Sequence, residues 1–340
     1  GPASSHPGLE PMRPLPTGPA IEPVRWLERD DLILPARWLS PLLRWSAPLL
    51  IRAEGNQVVF APNFAPPGIL RHLAAPLCCV VHDLAFERAP WSVSDETRAW
   101  LTARLDTTVR RAERVITISH AVQQQLVESD RVEAERVEVI PLAPVHVAQE
   151  RAARPSDRTP PSRYVLHVGT LEPRKNVETL LDAWESIRSA GGDPPLLVLV
   201  GQAGWKSESL LRRIEAARDE GWLQWEGYRD DAELRDLYRG ASAVVSASVY
   251  EGLGLPLLEA MAAGVPLAVS DLEVYREVAG DAALFLDPSD AAAWAAAVVR
   301  LLRDEELRAR LIASGRRRLE RFSWAESAEK TLQILRRCAS

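Results

Sequence analysis

The chain has 340 residues, of which 46% are hydrophobic and 26% are charged, and its formal net charge is -6. This length accommodates two domains with separate cores, and the composition is typical of a soluble globular protein. The acidic balance argues against a nucleic-acid partner, because the extended basic surface that would neutralise phosphates is absent.

The first half of the chain begins with a proline-rich stretch, residues 1–23, whose lack of apolar patterning predicts a loosely ordered arm. Between residues 24 and 142, strand-like runs alternate with helical spacing, which is the pattern of parallel βαβ units and predicts a doubly wound domain. The predicted strands are Gln57–Ala61, Leu77–His82, Arg114–Ser119 and Val137–Pro141, and the predicted helices are Ser94–Ala112 and His120–Glu128.

Polar side chains follow two of the predicted strands in this domain. His82 comes directly after an apolar run, where its ring can donate a hydrogen bond to a ligand or can be structural. The neighbouring Asp83 can fix the tautomer of His82 or cap the next turn. Ser119 precedes a helix and is predicted to be its N-cap.

A segment rich in Ala, Pro and Arg, residues 143–162, is predicted to be an interdomain linker. A second alternating series over residues 163–325 predicts another doubly wound domain across a cleft, followed by a C-terminal helix at 326–340. The predicted strands are Tyr164–Gly169, Pro195–Gly201, Leu223–Trp225, Ala243–Ser246, Pro266–Ser270 and Ala283–Leu286. The predicted helices include Val177–Ala190, Ser207–Glu220, Asp231–Gly240, Ala291–Arg303, Glu305–Arg321 and Trp324–Arg337.

A basic pair, Arg174 and Lys175, follows the first strand of the second domain and its terminal Gly169. Open parallel sheets bind ligands beyond the carboxyl ends of their strands, where this loop lies. The planar fork of Arg174 and the point charge of Lys175 suit a diphosphate. For an isolated basic pair, exposure to solvent is the simpler interpretation. Cations at a helix N-terminus oppose the helix dipole, however, and a bound anion would explain why they lie there.

Two carboxylates, Glu251 and Glu259, bracket a glycine-bearing turn that leads into a helix predicted to begin at Leu255 and to stop at Gly264. A helix that begins after glycines presents unpaired N–H groups and a positive dipole end, which together form a cradle for phosphate. Carboxylates on both sides accept hydroxyl groups, so the pattern favours a nucleotide sugar. The alternative is a solvated loop acid and an ordinary acid on a helix surface.

These motifs resemble the donor-site signature of retaining glycosyltransferases of family 4, whose fold is called GT-B. The resemblance is carried by Ser248–Glu259, by Glu277–Ala283 and by Tyr164–Asn176, and it extends with gaps over residues 58–335. It implies an α/β protein with two Rossmann-like domains facing each other across a cleft. The motifs look most like those of bacterial mannosyl- and rhamnosyltransferases of surface polysaccharide synthesis, which implies a GDP-sugar such as GDP-mannose.

The resemblance also implies roles for individual residues. The residues expected at the reacting centre are His82, Arg174, Lys175 and Glu251. Those expected to bind the donor are Gly169, Tyr228, Arg229, Gly252, Leu253, Gly254, Leu255 and Glu259. Glu251 is expected to bond the sugar hydroxyls and Glu259 the ribose, whereas Ser119 is expected on the acceptor side. Tyr228 and Arg229 are candidates for base contacts, next to Asp231 as a plausible helix N-cap.

The implied reaction transfers a sugar from a nucleotide diphosphate to a hydroxyl of a glycan, lipid or small molecule, with retention of the anomeric configuration. No metal ion and no cofactor are expected, because no Asp-x-Asp motif precedes the donor loop and basic side chains would neutralise the leaving group. Glu251 is expected to be a hydroxyl ligand rather than a nucleophile.

The C-terminal helices carry dense basic residues at 308–321 and 336–337, interleaved with apolar positions. This pattern favours solvated helix faces, and weak docking to the inner face of a membrane is the alternative. No apolar run approaches the ~20 residues of a membrane span, and no signal peptide is recognisable, so a cytoplasmic protein is expected. Cys78, Cys79 and Cys338 have neither disulfide nor zinc spacing. The oligomeric state is not indicated.

The N-terminal region departs from the family pattern of a strand, a glycine-rich loop and a long helix. Residues 12–18 only faintly echo that loop, and loss of a central first strand is expected to split the sheet unless another segment, such as residues 24–27, replaces it. Two alternatives follow from this departure: a nucleotide-sugar-binding partner of another transferase that lost turnover, and a sugar-nucleotide epimerase on the same fold.

Overall fold

Two parallel β-sheets, one in each half of the chain, organise the computed structural model, which describes residues 58–64, 75–145 and 163–339. The first sheet contains β1 (Val59–Ala61), β2 (Leu77–Val81), β3 (Arg114–Thr117) and β4 (Val137–Val139). The second contains β5 (Tyr164–Val168), β6 (Leu196–Val200), β7 (Leu223–Trp225), β8 (Ala243–Ser246), β9 (Leu267–Ser270) and β10 (Ala283–Leu286). The predicted α/β class with two parallel sheets is confirmed.

Helices connect the strands of both sheets. In the first half they are α1 (Ala85–Arg88), α2 (Asp95–Arg111) and α3 (His120–Glu128). In the second half they are α4 (Val177–Ser189), α5 (Glu208–Asp219), α6 (Asp231–Gly240), α7 (Leu255–Ala263), α8 (Glu273–Ala279), α9 (Ala291–Arg303), α10 (Glu305–Leu319) and α11 (Trp324–Ala339). None of these described helices combines the length and apolarity that crossing a bilayer requires.

Local sequence explains where these elements lie. The β2 run Leu77–Val81 is buried at every position, as expected for a parallel strand covered on both faces. Helices α2 and α3 begin after Ser94 and Ser119, whose side chains each accept a hydrogen bond from a first-turn N–H group. Helix α6 begins after Asp230 in a capping box with Glu233, so the prediction of Asp231 as the N-cap is wrong by one residue.

The order of the second sheet, β10-β9-β8-β5-β6-β7, creates a topological switch point. From β5 the chain proceeds through β6 to β7, and then returns to the other side of β5 with β8. The loops that follow β5 and β8 therefore diverge at the carboxyl edge of the sheet, which is where open α/β sheets bind ligands. Both predicted donor motifs lie in these two loops.

The first sheet has the order β1-β2-β3-β4, with each strand paired to the next. The expectation of a split sheet is therefore wrong for the described strands: β1 is the edge of this set, so a further strand would extend the sheet rather than fill a gap. The predicted arm at 1–23, the candidate replacement strand at 24–27 and most of the linker at 146–162 lie outside the described residues.

Helix α11 returns to the first half of the chain. Ser327 Oγ donates to the Pro141 carbonyl oxygen at 2.6 Å, and Trp324 Nε1 donates to the Pro144 carbonyl oxygen at 3.1 Å. The predicted C-terminal helix thus begins at Trp324 and joins the two halves of the described structure.

Candidate active site

The N-terminus of α7 forms the centre of the candidate site. Gly254 precedes the helix with φ +101°, and Pro256 occupies its first turn, where no N–H donor is needed. A β-carbon on Gly254 would lie 2.7 Å from Tyr275 Cε1, so the turn requires glycine. No described side chain caps this helix. Because Pro256 has no N–H group and Leu257 N donates to the Gly254 carbonyl oxygen at 3.0 Å, Leu255 N is the first-turn donor left for an anion. The predicted start at Leu255 and stop at Gly264 are both confirmed.

The predicted basic pair and the first predicted acid meet beside this turn. Lys175 Nζ lies 2.5 Å from Glu251 Oε1, and Arg174 NH1 lies 2.8 Å from Glu251 Oε2. Ser248 Oγ donates to Glu251 Oε1 at 2.7 Å, and Arg174 also pairs with Glu172 at 2.7 Å. The side chains of Arg174, Lys175 and Glu251 are 15%, 13% and 11% exposed. The loops after β5 and β8 thus place both charges in one buried cluster.

The electrostatics of this cluster keep Glu251 ionised. Burial alone would raise the pKa of Glu251, but the charges of Lys175 and Arg174, with hydrogen bonds from Lys175 and Ser248, lower it to about 2. Burial alone would lower the pKa of Arg174, but the negative charges of Glu251 and Glu172 raise it above its ordinary value. A carboxylate held this strongly is a weak base, which suits a hydroxyl ligand better than a nucleophile.

Gly169 allows the loop after β5 to pack closely. A β-carbon on Gly169 would lie 3.3 Å from Lys175 Cε, and a β-carbon on Gly201 would lie 2.0 Å from the Gly169 carbonyl oxygen. Backbone hydrogen bonds from Gly169 N to the Val200 carbonyl oxygen and from Leu171 N to the Gln202 carbonyl oxygen hold this loop against the one after β6. The cations are therefore presented from a rigid support.

His82, in the first half of the chain, lies directly against the turn of Gly252. A β-carbon on Gly252 would lie 2.1 Å from the His82 carbonyl oxygen and 2.8 Å from Asp83 Cβ. The His82 Nε2 atom is 2.8 Å from the Pro62 carbonyl oxygen. Asp83 Oδ1 accepts from Ala85 N at 3.0 Å, so it caps the next turn. The structure brings His82 to the site, and its contact with the donor sugar stays a prediction.

Ser119 is confirmed as the N-cap of α3, because its Oγ accepts from Val122 N at 3.2 Å. The same hydroxyl donates to the Gly252 carbonyl oxygen at 2.7 Å, and the residue is fully buried. Ser119 thus holds the turn of Gly252 from the first half of the molecule. Its acceptor-side role stays a prediction.

The remaining predicted donor residues surround α7 and the loop after β7. Glu259 is 3% exposed, and its Oε1 accepts from Val145 N at 2.6 Å. Leu253 packs in the hydrophobic core, whereas Leu255 is 37% exposed at the first position of α7. The contact of Glu259 with the ribose stays a prediction.

Tyr228 and Arg229 follow β7 at the surface. Tyr228 is 69% exposed, and Arg229 Nε donates to Glu226 Oε2 at 2.8 Å. Because the Arg229 guanidinium is already bonded to this carboxylate, the Tyr228 ring is more accessible to a nucleotide base than Arg229 is. Both base contacts stay predictions.

Comparison with known proteins shows which family the chain belongs to. The family described as Glycosyl transferases group 1 matches residues 149–318, half of the chain, and Glycosyltransferase Family 4 matches residues 9–143. The chain belongs to glycosyltransferase family 4. The predicted family membership is therefore confirmed.

Relatives of this family 4 chain include the O-antigen chain mannosyltransferase B of Escherichia coli, 38% identical over 169 residues that make up 50% of this chain and 44% of the relative. The phosphatidyl-myo-inositol mannosyltransferase of Mycolicibacterium smegmatis is 34% identical over 182 residues, 51% of this chain and 44% of the relative. The chain thus matches less than half the length of these curated relatives.

The fold is also shared with solved structures. Anabaena Alr3699/HepE in complex with UDP-glucose superposes with a TM-score of 0.70 at 20% identity, covering 89% of this chain and 84% of that chain. The GT-B fold predicted from the family 4 resemblance is confirmed.

Several residues of this family 4 site carry no isolated sequence signal. Tyr250 Oη accepts from Leu84 N at 2.9 Å and lies 2.9 Å from Gln125 Oε1. The carboxylate of Glu277 accepts from His120 N and Ala121 N, at 2.8 and 3.0 Å, at the N-terminus of α3. Tyr250 and Glu277 both fall within the family signature, which is the clue that the sequence offers, but the signature does not show that they join the two halves.

Proposed function

We propose that the chain forms a retaining, metal-independent glycosyltransferase that moves a mannose-like sugar from a nucleotide diphosphate to a hydroxyl group. The observation that carries the proposal is the buried cluster of Glu251, Lys175 and Arg174 beside the uncapped N-terminus of α7. This cluster unites an acceptor for hydroxyls with three sources of positive charge for phosphate.

The diphosphate of the donor would bind the N-terminal end of α7, through Leu255 N and the positive end of the helix dipole, and the side chains of Lys175 and Arg174. Departure of the diphosphate builds negative charge on its oxygens, and these groups stabilise that charge more in the transition state than in the ground state. The cations therefore supply the charge that a metal ion supplies in other transferases.

The sugar would lie beside Glu251, where the Gly252 turn and His82 meet. As the cations turn to the phosphate, Glu251 becomes available to the sugar hydroxyls, and its low basicity favours hydrogen bonding over covalent attack. We therefore favour attack of the acceptor hydroxyl from the face that the diphosphate leaves: the bond from the anomeric carbon to the phosphate oxygen breaks, the bond to the acceptor oxygen forms, and the hydroxyl proton passes to the departing diphosphate. This route retains the anomeric configuration.

The relatives support mannose as the sugar, since two of them are named as mannosyltransferases. The proposed donor is a GDP-sugar, with GDP-mannose first. The proposed acceptor is a hydroxyl of a glycan, a lipid-linked glycan or a small molecule.

A donor panel tests this proposal. The protein would be incubated with GDP-mannose, UDP-glucose or dTDP-rhamnose and a mannobiose acceptor, with and without EDTA, and product anomers would be assigned by NMR. The proposal expects an α-linked product from GDP-mannose that EDTA does not suppress. Donor binding by calorimetry without transfer or hydrolysis would favour a binding partner, and a changed sugar without acceptor would favour an epimerase.

A further inference from the structure

His167 lies near the end of β5, fully buried, with one ring nitrogen unused. Its Nδ1 atom lies 3.2 Å from the Val245 carbonyl oxygen, which can only accept, so Nδ1 carries the hydrogen. In the neutral ring, Nε2 is then a bare acceptor, and it has no hydrogen-bond partner among the described residues. A buried acceptor without a donor costs free energy, so this atom points to a donor that arrives in another state of the protein.

Lys175 is a donor on a flexible side chain close to this nitrogen. A β-carbon placed on Gly169 would lie 3.6 Å from His167 Nε2 and 3.3 Å from Lys175 Cε, so both groups border the space that a side chain of Gly169 would fill. Burial, together with the positive charge of Lys175, lowers the pKa of His167 to about 4, which keeps the Nε2 lone pair free at neutral pH.

Lys175 now donates to Glu251 at 2.5 Å. An ammonium has three donors, and a diphosphate above the cluster would draw it away from the carboxylate. We propose that His167 is a positioning residue for donor binding, whose Nε2 accepts a hydrogen bond from Lys175 when Lys175 leaves Glu251 for the diphosphate. This inference rests on the proposed function and deepens it, because it assigns the exchange that frees Glu251 for the sugar.

The inference gives Gly169 a defined purpose. Any side chain there would fill the space through which the ammonium of Lys175 meets the imidazole of His167. The inference also explains why the polar residue His167 lies in β5, where the neighbouring positions Val165 and Leu166 are apolar and buried in the core.

A double-mutant cycle tests the exchange. Affinities for GDP, GMP, UDP and UMP would be measured by calorimetry for the wild type, His167→Phe, Lys175→Met and the double variant. His167→Phe should weaken binding of the preferred diphosphate about tenfold, as expected for a hydrogen bond to a charged group, and leave the monophosphate unchanged. In the Lys175→Met background the same change should have no further effect.

His167→Gln is the matched control, because it also loses the ring but restores an acceptor near the Nε2 position, and it should recover most of the affinity. In 15N-histidine NMR, the Nε2 resonance of His167 should shift on adding the diphosphate, and should not shift in Lys175→Met. An equal loss of affinity with and without Lys175, or an unmoved resonance in a protein that binds the diphosphate, would overturn the inference. A wild type that binds no nucleotide would instead refute the proposed function, and the inference with it.

Discussion

Glu251 is a buried anion whose charge depends on two neighbours. Lys175 and Arg174 lie 2.5 and 2.8 Å from its oxygens, and they outweigh the burial that would otherwise raise its pKa. The sequence predicted that these residues share a site, but it did not predict that they pair with one another. The pairing joins residues 76 positions apart, and it depends on the register of the loops after β5 and β8.

The Glu251 ion pairs should make stability depend on pH in a defined window. Because the folded pKa of about 2 lies below the unfolded value of 4.5, the contribution is complete above pH 4.5 and is lost as the pH falls towards 2. Its size is on the order of 3 kcal/mol. Urea unfolding of the wild type and Glu251→Gln between pH 2 and 7 measures it: the difference should shrink in that window, and a constant difference would contradict the assigned pKa.

Glu259→Gln should weaken nucleotide binding. Loss of ribose hydrogen bonds to a carboxylate is expected to reduce affinity on the order of ten- to a hundredfold, while the amide still accepts from Val145 N and keeps the fold. Calorimetry with GDP and with 2′,3′-dideoxy-GDP separates the causes, because only GDP should lose affinity. An equal loss for both ligands would place Glu259 away from the ribose.

Among the secondary-structure elements, α7 carries the anion cradle, and its start depends on Gly254. The positive φ and the contact with Tyr275 both exclude a side chain there. Gly221 has a similar φ of +82°, but a β-carbon added to it would meet no atom within 4 Å, which makes it a control for backbone strain alone.

Gly254→Ala should lose about 1–3 kcal/mol of stability from strain, plus a further loss from the clash, and it should abolish nucleotide binding by moving the helix N-terminus. Gly221→Ala should lose the strain component only and bind nucleotide normally. Thermal unfolding and calorimetry on both variants provide the comparison. Normal nucleotide binding by Gly254→Ala would remove α7 from the site.

Most elements could be predicted because their patterns are long or sharply ended. Strand β2 is a continuous apolar run, and α7 is bounded by Gly254 and Gly264. The four-residue α1 and the seven-residue α8 were missed, since neither is long enough to show a helical period. Several predicted strands extended one or two residues past the observed end, at His82, Ser119 and Gly169, because the sequence does not mark the last residue that pairs with a neighbouring strand.

For the whole molecule, the contacts between the two halves could not be predicted from the sequence. Ser119 and Gly252 are 133 positions apart, and His120 and Glu277 are 157 positions apart. Periodicity specifies each sheet but carries no information on how two sheets face each other. These contacts join the Gly252 turn and helix α8 to the first half, so we expect the geometry of the candidate site to depend on how the two halves pack.

Glu277→Ala should loosen this coupling. Loss of the carboxylate at the N-terminus of α3 leaves two N–H groups without their acceptor and removes a favourable dipole interaction. Hydrogen exchange at His120 and Ala121 should accelerate, and KM for the donor should rise. Glu273→Ala, which removes an exposed acid from the same helix α8, should change neither. Unchanged exchange in Glu277→Ala would show that this contact does not hold the halves together.

In the proposed complex, the diphosphate of a nucleotide sugar binds the N-terminus of α7 and Lys175. A crystal structure of the protein with GDP or UDP, whichever binds, would show where the diphosphate lies. We expect phosphate oxygens within hydrogen-bond distance of Leu255 N, in the first turn of α7, and of Lys175 Nζ, with Glu251 facing the position of the sugar. Phosphates bound elsewhere, with the Lys175–Glu251 pair intact, would contradict it.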